Sequence, residues 1–105
     1  MAAPTKQEML RELIRQVDDA GLLVEASKKK LSSAKGKIKA LQKEFDELSR
    51  GPFSDDVDCA MDSIVYVSLP AWEEKLLQAK EGFCRAEATL TEARNKRDAF
   101  IAENV

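Results

Sequence analysis

The sequence predicts an all-α protein: an antiparallel coiled-coil helical hairpin whose second arm is kinked at Pro70, and which dimerisation would turn into a four-helix bundle. Three observations predict it. Apolar and small residues recur at 3,4 spacing from Leu10 to Leu48; a Gly51-Pro52 stop is followed by a fresh helix start at Ser54; and a second 3,4 phase runs from Leu69 to Phe100. These signals divide the chain into helix A at about 5–50, a turn at about 51–53, a helix at about 54–67, a kink at about 68–70 and helix B at about 70–103, within a single helical domain, 1–105.

Helix A is set by position a, read as Leu10, Val17, Val24, Leu31, Ile38 and Phe45, and by position d, read as Leu13, Ala20, Ser27, Ala34, Leu41 and Leu48. A seven-residue repeat held in one phase keeps one side of a helix against a neighbour. Thr5 is placed to cap the first turn, with Glu8 three residues on in capping-box spacing. Gly21 and Gly36 each weaken the helix by about 1 kcal/mol relative to alanine, and "DDAG" could end a first helix at Gly21. The unbroken phase across Gly21 argues for continuity.

Gly51 followed by Pro52 predicts a glycine C-cap and a stop. Ser54 with Asp55 and Asp56 then reads as an N-cap and an acidic first turn. Val57, Ala60, Met61, Ile64 and Val65 fall at i, i+3, i+4, i+7 and i+8, the stripe of an amphipathic helix. The β-branched run in "DSIVYVSLPAW" also fits a strand, but a lone strand would leave its edge unpaired in a helical chain. The stripe is one step out of phase with the one that starts at Leu69, and Pro70 at the junction predicts a kink there. Tyr66 and Val67 are pushed off the stripe. The alternative is a separate short helix, about 54–68, folded over the tip.

Helix B has Leu69, Leu76, Phe83, Leu90 and Arg97 at a, with Trp72, Ala79, Ala86, Ala93 and Phe100 at d. Pro70 sits near its first turn, where a missing amide costs nothing, and Glu73 and Glu74 suit the positive end of the helix dipole. Small residues in the middle d layers, against larger ones at a, predict close approach of the two axes.

A net charge of −2 and a pI near 5.2 give no global attraction to nucleic acid or to an anionic membrane. Within this acidic background Lys28, Lys29, Lys30, Lys35, Lys37, Lys39 and Lys43 form a window of helix A without an acid. In a hairpin these lysines face the region of Asp62, Glu73 and Glu74, whereas a parallel arrangement would set them near Arg94, Lys96 and Arg97. They occupy positions b, e, f and g, which spreads them around the helix as a solvated face. The sharper reading of the block is a docking site for an acidic partner or for phosphate backbone.

No histidine is present, which removes the commonest general base and metal ligand. Asp55, Asp56, Asp58 and Asp62 lack the glycine and terminal glutamate of a calcium loop and read as helix-start electrostatics. Cys59 and Cys84 have no CxxC spacing and read as small packing residues. No phosphate loop, nucleophile elbow or dinucleotide fingerprint occurs. The expectation is a protein that is not an enzyme, with no catalytic residue, metal or cofactor.

Trp72, Phe83 and Phe100 belong to the seam. Phe53 in the turn reads either as a plug for the open end of the hairpin or as an exposed anchor. Met9, Ile14, Leu22, Leu23, Leu77 and Ile101 lie off the seam, and with Phe53 and Tyr66 they make a candidate partner-binding set. The lysine window and Asp55, Asp56 and Asp58 would steer the partner. The expected function is protein-protein interaction through helical docking, as an assembly subunit, adaptor or inhibitor that pairs with another protein or with itself. The alternative is a nucleic-acid-associated regulator using the lysine block. The amino end lacks signal-peptide character and no window reaches the roughly 20 apolar residues of a membrane span, so a cytoplasmic or other reducing intracellular location is expected, with no membrane partner.

Overall fold

The structure, a computed structural model, describes residues 3–104. Helix α1 runs Lys6–Arg50 and α2 Asp55–Ser63; a π-helical turn covers Ile64–Ser68, and α3 runs Leu69–Asn104. No strand occurs among the described residues. The β-branched run therefore adopts helical geometry, as the stripe beginning at Val57 requires.

The helix starts follow from their caps. The Thr5 hydroxyl accepts from the Glu8 N–H at 3.1 Å, and the Thr5 carbonyl accepts from the Met9 N–H at 3.0 Å. Ser54, with an extended backbone at φ −152° and ψ 165°, accepts from the Val57 N–H at 3.2 Å. Each hydroxyl thereby satisfies one amide that the first turn would leave without a partner. Helix α1 crosses both Gly21 and Gly36 without interruption.

Helix α1 stops for a different reason from the one its glycine suggests. The Gly51 N–H donates to the Leu48 carbonyl at 3.4 Å, but no glycine has a positive φ among the described residues, so the left-handed C-cap is absent. A Cβ at Gly51 would lie 3.8 Å from the Glu47 and Leu48 carbonyl oxygens, an ordinary contact. Pro52 ends the helix: it has no N–H to continue the ladder, and its ring disfavours helical geometry at the residue before it.

The change of phase is absorbed by the π turn. The Leu69 N–H donates to the Ile64 carbonyl, five residues back. In α geometry a five-residue step would leave Leu69 about 140° around the axis from Ile64. The wider turn instead brings the buried Ile64 and half-buried Leu69 toward one side and joins the two stripes. It also sits where the Pro70 ring would crowd the Tyr66 carbonyl four residues back. Val65, expected on the stripe, is displaced by this turn and is 39% exposed, while Ser68 takes a half-buried place.

The chain divides into two compact units, one of residues up to Lys28 with those from Gly82 onward, the other Lys29–Glu81. In the first, Ala20, Ala86 and Ala93 are buried; in the second, Ala34 and Ile64 are. Every a and d position of α1 from Leu10 to Leu48, and of α3 from Leu69 to Phe100, is buried or half-buried. Four of the five buried residues are alanines and the fifth is Ile64, so little large apolar surface is fully enclosed in either unit.

Candidate interaction surface

In the unit of Lys29–Glu81, helix geometry turns several large apolar side chains outward. Phe53, Tyr66 and Val67 are 77%, 74% and 64% exposed, and Leu77 joins them at 52%. The π turn is the cause for Val65, Tyr66 and Val67: with Ile64 buried on the seam side, the three residues that follow sweep across the outer face before Ser68 returns inward. Phe53 stands clear of the chain and does not plug the turn.

The same unit has a groove of about 510 Å³ free volume, lined by Ser32, Lys35, Gly36, Ile38, Lys39, Gln42 and Leu76. Gly36 opens it. A Cβ built there meets nothing within 4 Å.

The other unit has its own apolar surface. Leu22 and Leu23 are 70% and 57% exposed, and Met9, Ile14 and Ile101 are exposed as well. Pro4, Glu8, Met9, Glu12, Leu13 and Phe100 line a shallow groove of about 340 Å³. A second, of about 260 Å³, has Ala20, Leu23, Thr89 and Ala93 in its walls with Asp19, Glu92 and Lys96 around it. All eight apolar residues singled out from the sequence are thus exposed, in two separate groups. Val65 and Val67 were not among them, although the one-step phase change before Leu69 signals that this segment must turn outward. The Gly36 groove was missed too; a glycine amid good helix formers was its only sign.

The lysine window is an exposed face along α1. Lys28 pairs with Glu25 at 3.9 Å in its own helix. Lys29, Lys30, Lys35, Lys37, Lys39 and Lys43 make no ion pair among the described residues, and neither do Asp55, Asp56, Asp58, Asp62, Glu73 or Glu74. Facing the region of Asp62, Glu73 and Glu74 does not extend to ion pairing with them among the described residues. Both charge blocks lie open to water, where an exposed pair would gain too little to hold two long side chains in place.

The remaining ion pairs are local to one helix: Arg15–Glu12, Lys96–Glu92 and Arg97–Asp98. The hydrogen bond from Arg15 holds the Glu12 carboxyl below its ordinary pKa, and the same bond raises Arg15. Lys75 Nζ lies 4.1 Å above the Trp72 ring, covering the outer side of that half-buried seam residue. Cys59 and Cys84 are free and exposed rather than packed inside. Among the described residues no cluster of three or more His, Cys, Asp or Glu side chains could hold a metal ion.

No family model matches the chain, and no curated protein or solved structure is significantly similar to it. Function must be read from these surfaces. No helix among the described residues is long and apolar enough to cross a membrane.

Proposed function

We propose that the chain is a non-enzymatic protein-protein interaction module that docks by helical surfaces, serving as an assembly subunit, adaptor or stoichiometric inhibitor. The observation that carries this reading is the exposure of large apolar side chains off the seam, with Leu22 at 70%, Phe53 at 77% and Tyr66 at 74%. An isolated exposed leucine is ordinary, but runs such as Leu22-Leu23 and Val65-Tyr66-Val67 concentrate apolar surface in the way of interaction sites. Burying such side chains in a partner gives affinity, roughly 1.5–3 kcal/mol for each one fully covered.

The scaffold we propose is an antiparallel coiled-coil hairpin. Leu13 shares a groove with Phe100, and Ala20 with Ala93; in the other unit Ile38 shares one with Leu76. Rising numbers on one helix meet falling numbers on the other, which supports this reading. The module works in a reducing intracellular compartment, where the exposed Cys59 and Cys84 would remain thiols.

Crosslinking with mass spectrometry in native cells, followed by recovery with purified protein, tests the proposal. The chain should crosslink to a protein through the residues around Leu22–Leu23 or Val65–Val67. A wild-type chain that captures no protein, itself included, overturns the reading. The second reading, nucleic-acid regulation, draws on the unpaired lysines and predicts affinity that falls steeply with salt, whereas apolar docking changes little.

A further inference from the structure

One face of the unit made of residues up to Lys28 and from Gly82 onward combines an apolar floor with an acidic rim. We infer that this face holds a basic amphipathic helix of another protein. The apolar side of that helix lies on Ala20, Leu23, Ala93 and Phe100, and its lysines or arginines lie beside Asp19 and Glu92. The inference rests on the docking reading above and names the site and the chemistry of the partner.

The heptad register puts the residues concerned on one face. In α1, Leu13 and Ala20 are d positions, Met9, Gln16 and Leu23 are g positions, and Glu12 and Asp19 are c positions. Three residues separate d from g, and g from c, so each step moves about 60° around the axis in the same sense. The order in α3 is the same, with Ala93 and Phe100 at d, Thr89 and Lys96 at g, and Glu92 at c. The structure brings these two edges together. Ala20, Leu23, Thr89 and Ala93 stand in one groove with Asp19, Glu92 and Lys96 around it, and Leu13 and Phe100 share the other with Met9, Glu8 and Glu12. Met9 and Leu23 lie about 21 Å apart along α1, the length of a four-turn helix. Small residues on the floor let an incoming backbone come close, and anchors at i, i+3, i+4 and i+7 of that helix fit such a groove.

Charge selects the partner. Four acids border the two grooves, Glu8, Glu12, Asp19 and Glu92, against one lysine, Lys96. Arg15 holds Glu12 and Lys96 holds Glu92, which leaves Glu8 and Asp19 without an ion pair among the described residues. Cationic flanks on the incoming helix complement this rim, and acidic ones are repelled by it. The chain's own candidates lack that chemistry. The lysine window has no large exposed apolar side chain, and the Val65–Val67 ridge lies in a stretch, 51–74, whose charged residues are all acidic.

Selection from a displayed library of random peptides of about 18 residues, long enough for five helical turns, tests this on the full chain. Fluorescence anisotropy then measures the selected peptides, and circular dichroism checks the fold of each variant. The peptides should place apolar residues at i, i+3, i+4 and i+7, carry more Lys and Arg than Asp and Glu, and become helical when bound. Leu23→Ser should weaken binding at least tenfold, and so should the charge reversal D19K/E92K. Leu22→Ser changes a more exposed leucine at position f, outside both grooves, and should leave affinity within about twofold.

A library that yields no binder overturns the inference. Selected peptides that are acidic or uncharged, that bind L23S and D19K/E92K as tightly as wild type, or that depend on Leu22 instead, overturn it as well. If the crosslinking test still recovers a protein at Val65–Val67, the docking reading stands without this site; if it recovers none, both fall.

Discussion

The Leu69 N–H donates to the Ile64 carbonyl, five residues back, and this single π turn lets a stripe built from Val57 continue in one built from Leu69. The same turn sends Val65, Tyr66 and Val67 outward, so the repair of phase and the exposed apolar ridge have one cause.

Deleting Tyr66 in a Pro70→Ala background would leave Ile64 and Leu69 four residues apart, the spacing of an uninterrupted α-helix. Helicity by circular dichroism should be retained with cooperative melting. Inserting one alanine after Tyr66 should instead rotate one stripe by about 100° relative to the other and lower the melting temperature sharply. Equal tolerance of deletion and insertion would show that the stripes do not depend on this turn.

Ala20 and Ala93 are buried and line one groove. Replacing Ala93 with leucine should overpack this layer at a cost of about 1–3 kcal/mol in urea unfolding. Cys84→Leu, at an exposed position of the same helix, should change stability by less than about 0.5 kcal/mol.

Gly21 and Gly82 lie inside helices, and a Cβ at either meets nothing within 4 Å. Gly21→Ala and Gly82→Ala should each add up to about 1 kcal/mol of stability, from helix propensity alone. Gly51→Ala should also be tolerated, since Gly51 does not take a left-handed conformation. Loss of stability in Gly51→Ala would contradict the assignment of the helix stop to Pro52.

Ser54 accepts the Val57 N–H. Ser54→Ala should lower stability by about 1 kcal/mol in urea unfolding, with Ser54→Asp restoring most of it because aspartate also caps well. Failure of the aspartate variant to recover would mean that the loss came from somewhere other than the cap.

The Arg15 hydrogen bond lowers the Glu12 pKa from its ordinary 4.5. A depressed carboxyl contributes stability above its unfolded value and loses that contribution as pH falls through the folded one. The melting temperature of Glu12→Gln should therefore lie slightly below wild type at neutral pH and converge with it in acid. A difference that persists in strong acid would have another origin.

The sequence by itself determined where the helices lie and which residues they shelter, because burial on a helix repeats every three to four residues and the spacing of apolar residues records that repeat directly. Leu10 to Leu48 and Leu69 to Phe100 carry it without a slip, and Thr5 and Ser54 mark the starts through hydroxyls that act locally. The exposed apolar candidates were legible for the same reason, as departures from the stripe. Tertiary structure decided what depends on more than one turn of chain. The phase step before Leu69 was legible in the sequence, but the widened turn over Ile64–Ser68 was not, because a hydrogen bond reaching five residues back leaves no mark in residue spacing. The lysines can reach acids on another segment or stay in water, and that balance rests on distance and hydration that spacing alone does not encode. The groove beside Gly36 likewise depends on Leu76 of the returning arm coming to line it together with Ile38 of α1.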